Sequence, residues 1–247
     1  MVNCYKTPIK DVMNMKKSKA AKKDNPHREH RMRMKARFLN EGISGFEDHN
    51  ILELLLFFGI PFKDTNEIAH ELITKFGSIN KVFEADYDQI KSVKNMTHNA
   101  TTLIKLIPEL CSKYNLNNIK SSGITLGSPE FEEYMKEKYR TLTKETVILY
   151  IFDKNGMLFS DRVIADGSRV SSSIDLRKVV EETLAKKASV IVLSHNHPDG
   201  IKSVSQFDTA NTLRLHHLLY AVGIELFEHY VVSEDCVSGI LKTARPE

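Results

Sequence analysis

The sequence has few cysteines: Cys4, Cys111 and Cys236 are the only three among 247 residues. Their odd number and wide separation give neither a disulfide framework nor a Cys-x-x-Cys metal-binding motif. A metal site in this chain would therefore have to be built from histidine and carboxylate side chains. The Pro-Cys-x-x-Cys signature of cytidine deaminases is missing as well, which excludes that class of zinc enzyme.

Long apolar runs are also missing. No stretch approaches the roughly 20 apolar residues of a membrane span, and the Lys-rich N-terminus lacks the apolar segment of a signal peptide. We therefore expect a cytoplasmic protein with no membrane contact. There is no Walker motif or Gly-rich dinucleotide loop, and His27-x-x-His30 lacks the Glu that a zincin motif requires.

The net charge of +3 is distributed unevenly. Residues 1–40 hold twelve Lys and Arg against three Asp and Glu, a net charge of +9, which leaves −6 for the remainder. Two interpretations stay open: a basic arm that contacts nucleic acid or another polyanion, or a solvated and partly disordered tail.

The first half of the chain has the periodicity of helices. Apolar residues recur at helical spacing in segments bounded by capping residues, glycine or proline. These predicted helices lie at 26–41, 49–58, 66–76, after Ser78 and at 100–114. We therefore predict a basic flexible arm (1–25), an all-helical N-terminal domain (26–118) and a linker (119–127).

The remainder, 128–247, has the pattern of a mixed domain. Ser128 and Pro129 are typical of a helix start, and that helix is predicted to end near Tyr139. The further predicted segments are strands at 146–152, 157–163, 190–193 and 224–232, a helix capped by serines 171–173 that ends near Lys187, and a helix at 205–221. The order β-β-α-β-α-β indicates an α/β (α+β) domain with a mixed sheet and flanking helices.

The most informative segment follows the strand predicted to begin at Val190. His195 and His197 are two residues apart, so both imidazoles can point to one side of an extended strand. A Pro and a Gly then turn the chain, and Asp208 opens the next helix, where it can return a carboxylate to the same point. Two His and one Asp are three protein ligands, which is how a catalytic zinc is held with a fourth position for water.

A purely structural interpretation of these residues is also available. Ser205-x-x-Asp208 is the pattern of a capping box, with the acidic side chain in the first helical turn. The combination of paired histidines after a buried strand, a turn and a carboxylate nevertheless favours a metal site, because α/β sheets bind ligands at the carboxyl ends of strands.

These residues carry a family resemblance. His195-x-His197-Pro198, with ten residues between His197 and Asp208 and with Ser205 three before Asp208, resembles the JAMM motif of MPN-type zinc metallopeptidases. His-Asn-His-Pro followed by a Gly resembles in particular the bacterial RadC family. The helical segments that contain Glu53 to Phe57, Asp64 to Asn66 and Phe76 to Ser78 are similar to the N-terminal region of that family.

The resemblance implies roles for individual residues. Zinc would be the cofactor, held by His195, His197 and Asp208, with Glu145 as general base and Ser205 as hydrogen-bond donor to the oxyanion of the tetrahedral intermediate. The implied function is a zinc-dependent hydrolase of peptide or isopeptide bonds, with a peptide or protein as substrate. On spacing alone, Glu145 would be a surface carboxylate at a strand edge. Its rivals Glu181 and Glu182 lie inside a predicted helix, where the JAMM pattern has no catalytic residue.

Three positions depart from the RadC pattern. Asp199 stands where such sequences usually have Ser, Val204 where they have Pro, and Glu228 where an Asp precedes the histidine corresponding to His229. None of these changes affects a predicted ligand. His229, with an acidic neighbour, fits either a residue that orients a metal ligand or an ordinary buried histidine.

The N-terminal half also resembles the helix-hairpin-helix-like region of RadC proteins. Such hairpins hold DNA phosphates with backbone amides made accessible by glycine, but the hairpin position here, Lys94 to His98, contains no glycine. The basic segment from Lys16 to Arg37 is therefore the better candidate for DNA contact. Two alternatives to the hydrolase stay open: a DNA-associated protein linked to DNA repair, and an interaction scaffold with a structural or idle zinc site.

Overall fold

A computed structural model of the chain describes residues 27–167, 175–197, 204–233 and 236–244. The chain divides into two compact units between Pro108 and Glu109. The described part of the first unit is helical, and the second contains a five-stranded sheet with flanking helices. The predicted fold class is thereby confirmed. The predicted basic arm (1–25), the capping serines 171–173 and the turn at 198–200 lie outside the described residues.

The helices of the first unit follow the predicted segments closely. They are α1 (Arg28–Glu41), α2 (Asp48–Gly59), α3 (Asn66–Phe76), α4 (Ile79–Glu84), the unpredicted short α5 (Tyr87–Lys91), and α6 (His98–Ser121), which continues into the second unit. Helix α3 ends at Gly77, whose φ of +93° suits glycine, and Ser78 caps α4 by accepting from the Lys81 N–H. The faces with helical spacing pack into a core that includes Leu52, Leu56, Ile68, Leu72 and Ile104.

The predicted end of helix α6 at Tyr114 is wrong. The helix continues to Ser121, so the first residues of the segment predicted as a linker are helical. Leu116 and Ile119 keep the helical spacing and pack against the core of the second unit. Burial of these two side chains therefore overrides the weak helix preference of the neighbouring asparagines.

The turn between α5 and α6 is made without glycine. Asn95 adopts a φ of +64° there, and asparagine is among the few residues other than glycine that accept this conformation readily. The Lys63 ammonium donates a 2.8 Å hydrogen bond to Asn95 Oδ1. A turn between two helices thus lies at the hairpin position that the resemblance indicated, with asparagine at its left-handed residue.

The second unit begins with α7 (Pro129–Tyr139), capped by Ser128 as predicted. Its other elements are β1 (Thr146–Phe152), β2 (Leu158–Asp166), α8 (Leu176–Ala185), β3 (Val190–Asn196), α9 (Gln206–Ala221), β4 (Glu225–Val232), β5 (Val237–Gly239) and α10 (Leu241–Ala244). The sheet order is β2-β1-β3-β4-β5, with β3 and β4 parallel and the other pairs antiparallel. The described cap of α8 is Asp175, which accepts from the Lys178 N–H, instead of the serines that the sequence indicated.

Both faces of the sheet are covered, which is why every residue of β1 is buried. On one face, Leu193 packs in a cluster with side chains of α8 and α9, such as Val179 and Leu215. On the other face, Val192 packs with residues of α7, including Phe131. Because side chains alternate along a strand, His195 lies on the same face as Leu193, at the carboxyl end of β3.

Candidate metal centre

Strand register brings the predicted residues together. The antiparallel pairing of β1 and β3 sets Val147 opposite His195. Glu145, two residues before Val147, therefore comes to the level of His197, two residues after His195. Asp208 arrives from a different element, the first turn of α9. Three chain segments thus converge where β3 ends.

The ligand atoms of these side chains lie close to one another. His195 Nε2 and His197 Nε2 are 3.1 Å apart, and one ligand atom from each of Glu145, His195 and His197 lies within 4.8 Å of the others. Asp208 Oδ1 is 3.8 Å from His195 Nε2. Glu145, His195 and His197 therefore form one group, and Asp208, which is not part of that group, approaches it at His195.

The donor set fits a zinc ion. Imidazole nitrogens and carboxylate oxygens are its usual ligands together with thiolates. Two nitrogens bound to one tetrahedral zinc at about 2.0–2.1 Å are separated by about 3.3–3.4 Å, and the two Nε2 atoms of this site are 3.1 Å apart. His195 is almost fully buried, whereas Glu145 and His197 are partly exposed, so the site is open to solvent on one side.

Asp208 can be both a helix-capping residue and a metal ligand, the two interpretations that the sequence left open. Ser205 and Asp208 form a capping box, in which Ser205 Oγ accepts from the Asp208 N–H and Asp208 Oδ2 accepts from the Ser205 N–H. The Ser205 hydroxyl also donates to Oδ2, at 2.5 Å. The cap thus engages Oδ2, while Oδ1 is the oxygen near His195, so capping does not compete with metal binding.

Burial keeps the inner histidines neutral. It lowers the pKa of His195 from 6.5 to about 4, an effect that the Asp208 carboxylate opposes and His197 reinforces. Burial and the neighbouring His195 also hold the pKa of His229 well below its usual value. Neutral imidazole is the form that binds a metal, so His195 has the charge state that a ligand requires, and the buried His229 behind it is neutral as well.

Two buried residues support His195. The sequence indicated this role for His229 as one of two possibilities, and it did not identify Thr212. His229 Nε2 shares a 2.9 Å hydrogen bond with His195 Nδ1, in line with the first of the two interpretations of His229. His229 Nδ1 in turn lies 2.6 Å from Thr212 Oγ1. The sequence places Thr212 one helical turn after Asp208 on the same face of α9, but it gives no signal for the contact of Thr212 with His229.

Asn196, between the two histidines, holds the segment that carries Glu145. Its Oδ1 accepts from the Thr146 N–H at 2.7 Å, and its Nδ2 donates to the Lys144 carbonyl at 3.2 Å. The backbone is therefore fixed on both sides of Glu145.

Glu228, the acidic neighbour of His229, hydrogen-bonds to backbone N–H groups and does not orient the His229 ring. The buried Glu228 carboxylate accepts from the backbone N–H groups of His229, Leu241 and Lys242. Adjacent strand residues point to opposite faces, so Glu228 supports the C-terminal segment and Thr212 is the partner of the His229 ring.

Comparison with known proteins gives a consistent result. Residues 127–243 match the family model of the RadC-like JAB domain. A UPF0758 protein of Fusobacterium nucleatum is 32% identical over 232 residues, which are 90% of this chain and 98% of that protein. UPF0758 proteins of Ruegeria pomeroyi and Stutzerimonas stutzeri are 26% and 24% identical, over 84% and 82% of this chain and 92% and 90% of their own lengths. Within the described residues, no helix combines the length and apolar character needed to cross a membrane.

Proposed function

The chain belongs to the RadC family, and on that basis we propose that it is a zinc-dependent hydrolase of amide bonds, of the peptidase or isopeptidase type. The observation that carries this proposal is the convergence of Glu145, His195 and His197 within 4.8 Å, beside Asp208 Oδ1. In this proposal His195, His197 and Asp208 hold the metal. When bound, zinc lowers the pKa of water to about 7 and polarises a carbonyl oxygen.

The side chains supply the remaining chemistry. Glu145, partly exposed at the open side of the site, takes a proton from the attacking water and passes it to the leaving amine. Ser205 is the proposed donor to the oxyanion. Its one hydroxyl proton points to Asp208 Oδ2 in the described conformation, so this role requires the hydroxyl to rotate once substrate is bound.

The first test is metal content. We expect about one zinc per chain in the purified wild type, as for a site with three protein ligands, and loss of that zinc in His197→Ala. Absence of zinc from the wild type after reconstitution would remove the proposal.

The second test is hydrolysis by the zinc-loaded protein. A mixture of synthetic peptides, including lysine-linked isopeptides, is incubated in ¹⁸O-water, and new carboxyl termini are detected by mass spectrometry. Glu145→Gln should keep zinc and lose about 10²–10⁴-fold in rate, whereas Glu181→Gln, which alters an exposed carboxylate of α8, should cleave like wild type. Zinc binding without any cleavage would instead support the interaction scaffold.

We also propose a second function, DNA contact through α1 and the basic segment before it. Helix α1 has five Arg and Lys against two Glu, and Arg28, Arg33 and Arg37 are exposed. Exposed cations of this kind bind phosphates, and the affinity then falls as salt rises. This contact does not depend on the metal site, so the two proposals can both hold.

Fluorescence anisotropy with a labelled duplex tests this second proposal. Arg33→Glu should weaken binding and reduce the salt dependence by about one phosphate contact. Lys81→Glu makes the same charge change at another exposed position of the helical unit and should have less effect. No binding of wild type at low salt would exclude this function.

A further inference from the structure

A line of hydrogen bonds connects His195 to the backbone of α9. His195 Nδ1 and His229 Nε2 are 2.9 Å apart, His229 Nδ1 and Thr212 Oγ1 are 2.6 Å apart, and the Thr212 hydroxyl donates to the Asp208 carbonyl at 2.6 Å. The three side chains are at most 1% exposed. Each of these contacts is short, and bulk water cannot easily substitute for a missing partner.

The direction of each hydrogen bond follows from the number of protons available. A backbone carbonyl can only accept, so the single hydroxyl proton of Thr212 goes to Asp208. Thr212 Oγ1 must then accept from His229 Nδ1, which therefore carries a proton. In a neutral imidazole one nitrogen donates and the other accepts, and so His229 Nε2 is an acceptor.

The same reasoning fixes the state of His195. Because His229 Nε2 accepts, His195 Nδ1 must be the donor in the bond that they share. The lone pair of neutral His195 is then on Nε2, the atom that lies 3.1 Å from His197 Nε2 and 3.8 Å from Asp208 Oδ1. The opposite tautomer would place a proton on Nε2 and block it as a ligand.

We infer that Thr212 and His229 are positioning residues that hold His195 in its Nδ1–H tautomer and so direct the Nε2 lone pair to the cation site. The line ends on the carbonyl of Asp208, whose side chain is a proposed ligand, so one helical turn sets the orientation of both groups. This inference rests on the proposed metal site, but its first test does not require a metal.

The first test is the tautomer of each ring in the metal-free protein. Long-range ¹H–¹⁵N correlation spectra of the full chain, labelled with ¹⁵N-histidine and treated with EDTA, distinguish Nδ1–H from Nε2–H rings. His195 and His229 should both be Nδ1–H, with signals assigned by His195→Gln and His229→Gln. An Nε2–H ring at either position would overturn the inference.

The second test replaces the hydroxyl of Thr212. Thr212→Val removes the acceptor for His229 Nδ1, so we expect the His229 proton to move to Nε2. His195 Nδ1 must then accept, and the His195 proton moves to Nε2. The zinc dissociation constant, measured by competition with a chromophoric chelator, should rise about 10–100-fold. Thr212→Ser should restore both the tautomers and the affinity, which a purely steric role of threonine would not predict.

A matched control is available in the same unit. Thr183 is fully buried, and its hydroxyl donates to the Val179 carbonyl four residues earlier at 2.6 Å, the same local geometry as Thr212. Thr183→Val should leave the tautomers and zinc affinity unchanged at a similar cost in stability. Equal losses of zinc affinity in both variants would contradict the inference. If wild type binds no zinc, the proposed hydrolase is excluded, and the tautomers still decide this inference.

Discussion

Asn196 shows how one side chain can affect a neighbouring segment. It separates the two histidines along the strand, yet both its hydrogen bonds reach the backbone on either side of Glu145. The Thr146 N–H that donates to Asn196 Oδ1 is buried, and a buried donor without an acceptor is unfavourable. The position of the proposed general base therefore depends on the residue between two proposed ligands.

Asn196→Ala should lower the free energy of unfolding by about 1–3 kcal/mol, because the Thr146 N–H loses its acceptor. It should keep zinc, since no ligand is changed, and lose peptide hydrolysis, since the Glu145 backbone is released. Urea unfolding of the metal-free protein, metal content and the ¹⁸O assay measure these three effects.

Asn196→Asp separates the two hydrogen bonds. It retains an acceptor for the Thr146 N–H but sets an acceptor-only carboxylate oxygen against the Lys144 carbonyl, so the Thr146 amide should stay protected from hydrogen exchange while peptide hydrolysis falls. An alanine variant as stable and as active as wild type would show that the two hydrogen bonds do not position Glu145.

The sequence predicted the four converging side chains, but of their supports it indicated only His229, as one of two possibilities. The spacing of His195, His197 and Asp208 and the resemblance for Glu145 led to residues that do meet. Asn196 and Thr212 have partners 50 and 17 residues away. Strand register and helix rotation decide such contacts, and neither can be deduced from spacing in one chain.

At the scale of elements, Glu228 connects β4 to the C-terminal segment. Its two oxygens accept from the N–H of His229 and from the N–H groups of Leu241 and Lys242 at the start of α10. Carboxylates are favoured at helix N-termini. The buried charge is therefore satisfied by backbone donors, and it holds α10 beside the strand that carries His229.

Glu228→Gln should destabilise the protein by about 2 kcal/mol, because an amide supplies one acceptor where the carboxylate supplies two. The loss should be local: amide hydrogen exchange at Leu241 and Lys242 should accelerate more than in β1. Glu225→Gln changes an exposed carboxylate of the same strand and should leave exchange unchanged. Equal exchange in both variants would show that Glu228 does not hold α10.

Whether the sequence predicts a helix or strand depends on what stabilises that element. Helices α1 to α3, α7 and α9 have caps, breakers or apolar spacing in their own sequence, and their predicted bounds were close to those observed, whereas for α4 only the start after Ser78 was predicted. Strand β5 and helix α10 have three and four residues, and their partners are distant in sequence: β5 pairs with β4, and the first residues of α10 bind Glu228. Contacts of this kind leave no local pattern, so these two elements were missed.

At the scale of the whole molecule, the buried histidines link stability to pH. The pKa of His195 is 6.5 outside the fold and about 4 within it because of burial, and burial lowers the pKa of His229 in the same direction. Between these values the unfolded chain binds protons that the folded chain does not. Stability is therefore complete above pH 6.5 and falls as the pH drops towards 4.

The metal-free protein should accordingly lose on the order of 3 kcal/mol of unfolding free energy between pH 7 and pH 4 from His195 alone, at about 1.4 kcal/mol per pKa unit. Asp161 has a separate effect on stability. Burial raises its pKa, but the contacts with Lys138, Tyr134 and Lys120 outweigh burial and hold the pKa below 3.8, so the stability that Asp161 contributes is lost only at lower pH.

Urea unfolding at pH 7.5, 5.5 and 4.5 in EDTA measures the pH range in which the histidines titrate. His229→Gln should flatten the curve, whereas the exposed His217 can be changed to Gln without effect. A wild-type curve that is flat from pH 7.5 to 4.5 would mean that these rings are solvated or already charged, and the neutral hydrogen-bonded line behind His195 would not exist in solution.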